Sequence, residues 1–197
     1  MRIAYFGVNE EEKAYLKSRM ADAGLDWNAV FSDEKLMKED ISAKMDFDII
    51  SVFVDSKIDA PVLDAFPNLK YIMARSVGYD HIDLTETKKR GIIVSNVPSY
   101  GDHTVAEFTF ALILTLSRKI FLSVDRIRET GSFSIEGLRG FDLKDKTIGV
   151  IGTGKIGKKV IELARCFGMR VIAHDAFPDK AAARALGFEY VSFEQLL

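Results

Sequence analysis

Residues 147–175 read TIGVIGTGKIGKKVIELARCFGMRVIAHD: an apolar strand, a turn carrying Gly152, Gly154 and Gly157, a helix, and a second apolar strand ending on Asp175. That order of elements is the one a dinucleotide-binding βαβ unit requires. Gly152 lets the chain leave the strand sharply, Gly154 has no Cβ to block a pyrophosphate, and Gly157 lets the helix pack close to the sheet. The phosphates would then rest on free N–H groups at the N-terminus of the helix. Asp175 stands where a carboxylate accepts hydrogen bonds from an adenosine ribose and repels a 2′-phosphate, so NAD is expected in preference to NADP.

Ahead of this unit, strand and helix patterns alternate. Strands are expected at residues 2–6, 26–31, 48–54, 70–75 and 92–96, and helices at 10–23, 33–41, 61–65 and 84–89, with Gly24 and Gly91 closing two of them. The near-continuous apolar run 48–54, DIISVFV, suits a parallel strand covered on both faces. Alternation with short links predicts an α/β chain: a flavodoxin-like domain over residues 1–101, then a linking helix and the first half of a Rossmann domain over 102–197. The helix is expected to run from Asp102 to Glu129, with Thr104 and Glu107 as a capping box at or near its start. Its first half is apolar on most sides, so it is expected to pass between domains and to meet a second subunit in a homodimer.

Composition removes several function classes. With 27 basic and 29 acidic residues and a net charge of −2, there is no electrostatic case for nucleic acid or an anionic membrane. The apolar stretch 104–116 is interrupted by Glu107 and falls short of a membrane span of ~20 residues. Cys166 is alone, which excludes an internal disulfide and suits a reducing cytoplasm; it reads as a small buried residue on the helix of 158–167. None of His81, on an expected surface turn, His103 or His174 has an acid at a motif-consistent spacing, and no His/Cys/Asp/Glu cluster has metal-ligand spacing.

Four separated segments, ISVFV at 50–54, ARSVGYDHIDL at 74–84, NVPSYGDHTVAEF at 96–108 and GVIGTGKIGKKV at 149–160, resemble the D-isomer-specific 2-hydroxyacid dehydrogenases, and within them the lactate-type members. The resemblance implies NAD-dependent interconversion of a pyruvate-like 2-keto acid and a D-2-hydroxy acid. It implies that backbone N–H groups of Ser76, Val77 and Gly78 hold the substrate carboxylate, and consecutive N–H groups in a glycine-bearing turn do make an anion nest. A plain tight turn into the next helix is the alternative. Tyr100 falls where lactate-type members place a substrate-contacting tyrosine, although a tyrosine at a hinge also serves as half-buried packing. Thr104 begins the helix that in relatives approaches the nicotinamide. Lys155 and Ile156 occupy positions that would lie over the pyrophosphate, with a solvated surface lysine as the alternative for Lys155. Phe108 replaces a histidine often found in relatives, one that is not their proton donor.

Reduction of a 2-keto acid also needs a cation on the keto oxygen and an acid to deliver the proton. The resemblance implies an arginine and a glutamate–histidine pair for these roles, all expected beyond Leu197, so no catalytic residue is assigned within the chain and the 197 residues alone are expected to be inactive. An NAD-sensing binding protein, corepressor-like and of the same fold family, is the alternative from another class.

Overall fold

In the computed structural model, which describes residues 1–41 and 43–197, the chain divides into two compact units, Met1–Tyr100 and Gly101–Leu197. The first contains β1 (Arg2–Tyr5), α1 (Glu10–Asp22), β2 (Asn28–Phe31), β3 (Ile49–Val52), α2 (Ala60–Leu63), β4 (Tyr71–Ala74), α3 (Leu84–Lys89) and β5 (Ile93–Ser95). All pairings are parallel, in the order β2-β1-β3-β4-β5, with Ile3 opposite Ile49 and Ile50 opposite Ile72. This is the flavodoxin-like order, and its direction reverses between β1 and β3.

Every residue of β3 is buried, as its unbroken apolar run requires. One face of the sheet packs Ile50, Val52 and Ile72 against Val62, Leu63 and Phe66; the other packs Ile3, Tyr5 and Ile49 against Leu16, Met20 and Trp27. Local chemistry places the helices. Asn9 and Glu12 form a reciprocal capping box on α1, and Asp83 accepts from the N–H groups of Thr85 and Glu86 at the start of α3.

The expected helix over 33–41 is absent except for a single 3-10 turn at Lys38–Asp40. Ser32 Oγ takes the N–H of Glu34 and Ser56 Oγ that of Leu36, whose side chain is buried. Side-chain acceptors have replaced the carbonyls that a helix would offer.

The second unit contains α4 (Asp102–Ser117), α5 (Ile120–Thr130), β6 (Thr147–Ile151), α6 (Lys155–Cys166), β7 (Arg170–His174), α7 (Lys180–Leu186), β8 (Glu189–Tyr190) and α8 (Phe193–Leu196). Its parallel sheet has the order β6-β7-β8, the β-α-β-α-β arrangement of a Rossmann half. Val150, Val160, Ile161, Ala164, Val171 and Ala173 form the core, closed by Ala106 and Phe110 of α4. The Phe110 ring stacks on Phe167 at 5.1 Å between centroids.

The helix expected to be continuous from 102 to 129 is broken. Lys119 adopts a left-handed φ of 57° between α4 and α5. The carbonyl of Ser117 accepts the N–H of Phe141 at 3.0 Å, and the incoming loop presses so close that a Cβ on Gly140 would lie 2.0 Å from that oxygen. A distant segment has claimed the acceptor that the next helical turn would need. The expected Thr104 capping box is also absent: Gly101 is the N-cap, without a side-chain bond, and Thr104 lies inside the first turn. The helix after the glycine turn starts at Lys155, earlier than 158, and Cys166 on its last turn is exposed rather than buried. Ile161 and Ala164 take the buried stripe of α6, and Cys166 points away from it. Among the described residues no helix is long and apolar enough to cross a membrane.

Candidate functional site

Strand β4 ends on Ala74, and the next residues make a turn in which every carbonyl of Ser76–Gly78 is tied back. Ser76 O accepts the N–H of Val97 (3.0 Å), Val77 O accepts Asn96 Nδ2 (2.7 Å), and Gly78 O accepts Ser76 Oγ (2.6 Å). The N–H groups of Val77 and Gly78 have no acceptor among the described residues, and both residues are exposed. Carbonyls held inward and amides left outward are what an anion nest needs. The three residues singled out in the sequence therefore do come together in one turn.

Beside it, Arg75 is half-buried. Its guanidinium donates to the carbonyls of Phe6 (2.8 Å) and Gly7 (2.9 Å) and to Ser51 Oγ (3.0 Å). Burial draws its pKa below the usual arginine range while Glu12 and Tyr5 oppose that, so it stays charged at neutral pH. One cation thus ties the carboxyl ends of β1, β3 and β4 together. A cavity of about 420 Å³ lies at the β1/β3 reversal, lined by Gly7, Asn9, Glu12, Lys35, Phe53 and Asp55 among others. Sequence reading had not singled out Arg75 or this cavity. The flavodoxin-like order was the signal that could have found the cavity, since ligands sit at such reversals, beyond the carboxyl ends of the strands.

In the second unit, Gly152 has φ +87°, a conformation in which other residues are strained. A Cβ on Gly157 would lie 2.0 Å from the Gly152 carbonyl, so α6 approaches the turn at a distance that only glycine permits. Gly154 is different: its φ of −66° suits any residue, and a Cβ there meets nothing within 4 Å. The space in front of it is open. The N–H groups of Ile156 and Gly157 find no acceptor among the described residues, that of Lys158 being the first to bond back, and the first turn of α6 contains no acid. Free amides and an open glycine at the start of a helix fit a pyrophosphate.

Asp175 follows β7. Its Oδ2 accepts the N–H and Oγ1 of Thr153 (2.6 and 2.9 Å), and its Oδ1 accepts the N–H of Phe177 (2.8 Å). The backbone bond from Thr153, then that from Phe177, holds its carboxyl below the ordinary aspartate range. Tyr100, 61% exposed, and Thr104, also exposed, make no hydrogen bond to either cluster among the described residues. Lys155 lies at the first position of α6.

The histidines offer no obvious acid. His81, expected on a surface turn, has a buried Nε2 without a partner among the described residues, and burial lowers its pKa, so it is neutral at pH 7. His174 Nδ1 faces the carbonyl of Val191 at 3.2 Å, and His103 lies exposed on α4. Among the described residues no three His, Cys, Asp or Glu side chains converge as a metal would require.

Residues 3–191 match the family model described as D-isomer specific 2-hydroxyacid dehydrogenase, catalytic domain. The chain is 35% identical over 198 residues to the D-lactate dehydrogenase of Escherichia coli, covering 100% of this chain and 59% of that protein. The apo-structure of D-lactate dehydrogenase from Escherichia coli superposes with a TM-score of 0.82 at 36% identity, covering 100% of this chain and 61% of that one. D-Lactate dehydrogenase from Aquifex aeolicus complexed with NAD and lactic acid superposes with a TM-score of 0.84 at 32% identity, covering 99% and 57%. The chain spans about 60% of the length of the curated relatives it matches.

Proposed function

The chain belongs to the D-isomer-specific 2-hydroxyacid dehydrogenase family, and from that premise we propose that it forms the carboxylate-holding and cofactor-holding part of an NAD-dependent enzyme. That enzyme interconverts a pyruvate-like 2-keto acid and a D-lactate-like D-2-hydroxy acid. The observation that carries the reading is the turn after β4, with its carbonyls tied inward and the N–H groups of Val77 and Gly78 open. A carboxylate bound there gains charge-assisted hydrogen bonds from those two amides. Tyr100 is assigned to the substrate side and Thr104 to the nicotinamide side.

The turn of Gly152, Gly154, Lys155, Ile156 and Gly157 is assigned to the pyrophosphate, and Asp175 to the adenosine ribose. Asp175 is ionised and accepts from ribose hydroxyls, while its charge opposes a 2′-phosphate. When bound, the nicotinamide supplies or accepts the hydride. Polarising the keto oxygen and delivering the proton have no candidate among the described residues, because Arg75 is committed to two carbonyls and no histidine is hydrogen-bonded to a carboxylate. The 197-residue chain alone is therefore assigned binding without appreciable turnover.

The same reading includes a twofold homodimer, supported by the exposed Phe108, Leu112 and Leu116 of α4 and Phe121 of α5. It includes a cytoplasmic location, supported by the single free thiol of Cys166.

The test is NADH oxidation with a panel of 2-keto acids, run on the chain and on a version extended to the length of its relatives. Turnover of pyruvate-like acids by the extended version only is expected. Comparable turnover by the short chain would refute the placement of the chemistry. Cofactor binding with no turnover by either would favour an NAD-sensing binding protein.

A further inference from the structure

We propose that the hydroxyls of Thr153 and Tyr190 are positioning groups that fix the orientation of the Asp175 carboxylate and thereby set the preference for NAD over its 2′-phosphorylated form. The inference rests on the reading of Asp175 as the ribose-facing acid. Thr153 is the residue between the first two glycines of the turn, and Tyr190 lies on β8, far away in sequence.

Three hydrogen bonds run in one direction, and the chemistry of the groups fixes that direction. An ionised carboxylate only accepts, so Thr153 Oγ1 must spend its proton on Asp175 Oδ2 (2.9 Å). In its 2.6 Å contact with Tyr190 Oη, Thr153 must then be the acceptor, and the tyrosine donates. Tyr190 Oη in turn accepts the N–H of Asp179 (3.1 Å). Asp179 is itself held on both oxygens: Oδ2 takes Lys158 Nζ (2.8 Å), and Oδ1 takes the N–H groups of Ala181 and Ala182. The Asp175 carboxylate is therefore braced through β8 and the start of α7 as well as by its own neighbours.

Thr153 is buried, only 4% exposed, so its hydroxyl is held in place by the packing around it. A carboxylate has about four acceptor positions, of which Thr153 N–H, Thr153 Oγ1 and Phe177 N–H fill three. The remaining position is on Oδ1. A carboxylate so braced presents one fixed acceptor to a ribose hydroxyl. It has no freedom to swing aside for a phosphate, which needs donors there and meets a charge of its own sign.

The test measures NADH and NADPH affinities by titration calorimetry on the full chain for the unmutated protein, Thr153→Ser, Thr153→Val and Tyr190→Phe. Thr153→Ser, which keeps the hydroxyl, should retain the NADH-over-NADPH ratio within about twofold, whereas Thr153→Val and Tyr190→Phe should each lower it by about threefold to tenfold, as loss of one part-buried hydrogen bond implies. A general loosening of the fold would weaken both cofactors alike and leave the ratio unmoved. Tyr190→Phe removes one oxygen without changing shape, so it serves even if the valine variant does not fold. An unmutated protein that prefers NADH, with the ratio unchanged in the phenylalanine variant, would overturn the inference and leave the proposed function standing. An unmutated protein that binds neither cofactor would overturn both.

Discussion

Gly157 and Gly154 sit three residues apart on one turn, yet alanine at each should do opposite things. A Cβ on Gly157 lies 2.0 Å from Gly152 O and 3.0 Å from its carbon. An ordinary non-bonded separation of roughly 3.5 Å would require α6 and the turn to part by roughly 1.5 Å. Gly152 cannot yield easily, because its φ is +87° and its N–H is bonded to His174 O at 2.8 Å. Overpacking of this kind costs about 3 kcal/mol. With a urea dependence of about 2 kcal/mol per molar, the unfolding midpoint of the second unit should fall by about 1.5 M in Gly157→Ala. Gly154→Ala meets nothing within 4 Å and keeps an allowed φ, so its stability cost should be no more than about 1 kcal/mol, the usual penalty of alanine at an N-cap. Its methyl group, however, enters the space assigned to the pyrophosphate, and NADH affinity should fall at least about thirtyfold. Urea unfolding followed by circular dichroism, with calorimetric titration of NADH, reads both quantities. A Gly157→Ala midpoint equal to that of the unmutated chain, or a Gly154→Ala variant binding NADH normally, would refute the reasoning.

Replacing Asp175 by alanine should narrow the preference for NADH over NADPH, as measured by the ratio of their dissociation constants; equal affinities in the unmutated protein would contradict the assignment before any variant is made. Asp175 and Asp179 have depressed carboxyl pKa values, caused first by the Thr153 N–H and by Lys158 respectively. A depressed folded value contributes stability that is present above the ordinary aspartate value of 3.8 and is lost as pH falls through the lower folded values. Urea midpoints should thus be insensitive to these two groups near neutral pH and drop only in the acid range, and a loss already complete at about pH 5 would be inconsistent with this. Light scattering should find a dimer at micromolar concentration, and Leu116→Glu, at an exposed apolar position of α4, should shift it toward monomer without loss of helicity. A monomeric unmutated protein would remove the dimer from the account.

The order of strands was legible because local signals agreed: apolar runs marked β1, β3 and β4, and Gly91, with φ +68°, closed α3 where expected. The glycine turn was legible for the same reason, since Gly152 and Gly157 each answer a local geometric need. What escaped was set by partners far along the chain. The break at Lys119 depends on Phe141 reaching the Ser117 carbonyl, which no pattern within residues 102–129 records. The bracing of Asp175 depends on Tyr190, and the inward carbonyl of Val77 depends on Asn96. Periodicity reports which face of an element is buried, and it is silent on which polar atoms meet across elements.

A carboxylate nest at Ser76–Gly78 and a dinucleotide turn at Gly152–Gly157 on one chain should both be visible in assigned amide heteronuclear spectra of the full chain, recorded with NADH and then with pyruvate. NADH should shift Gly154, Ile156, Gly157 and the amides flanking Asp175, and pyruvate added afterwards should shift Val77 and Gly78, whose N–H groups have no acceptor among the described residues. Saturable shifts confined to other residues, or none at millimolar ligand, would contradict that placement.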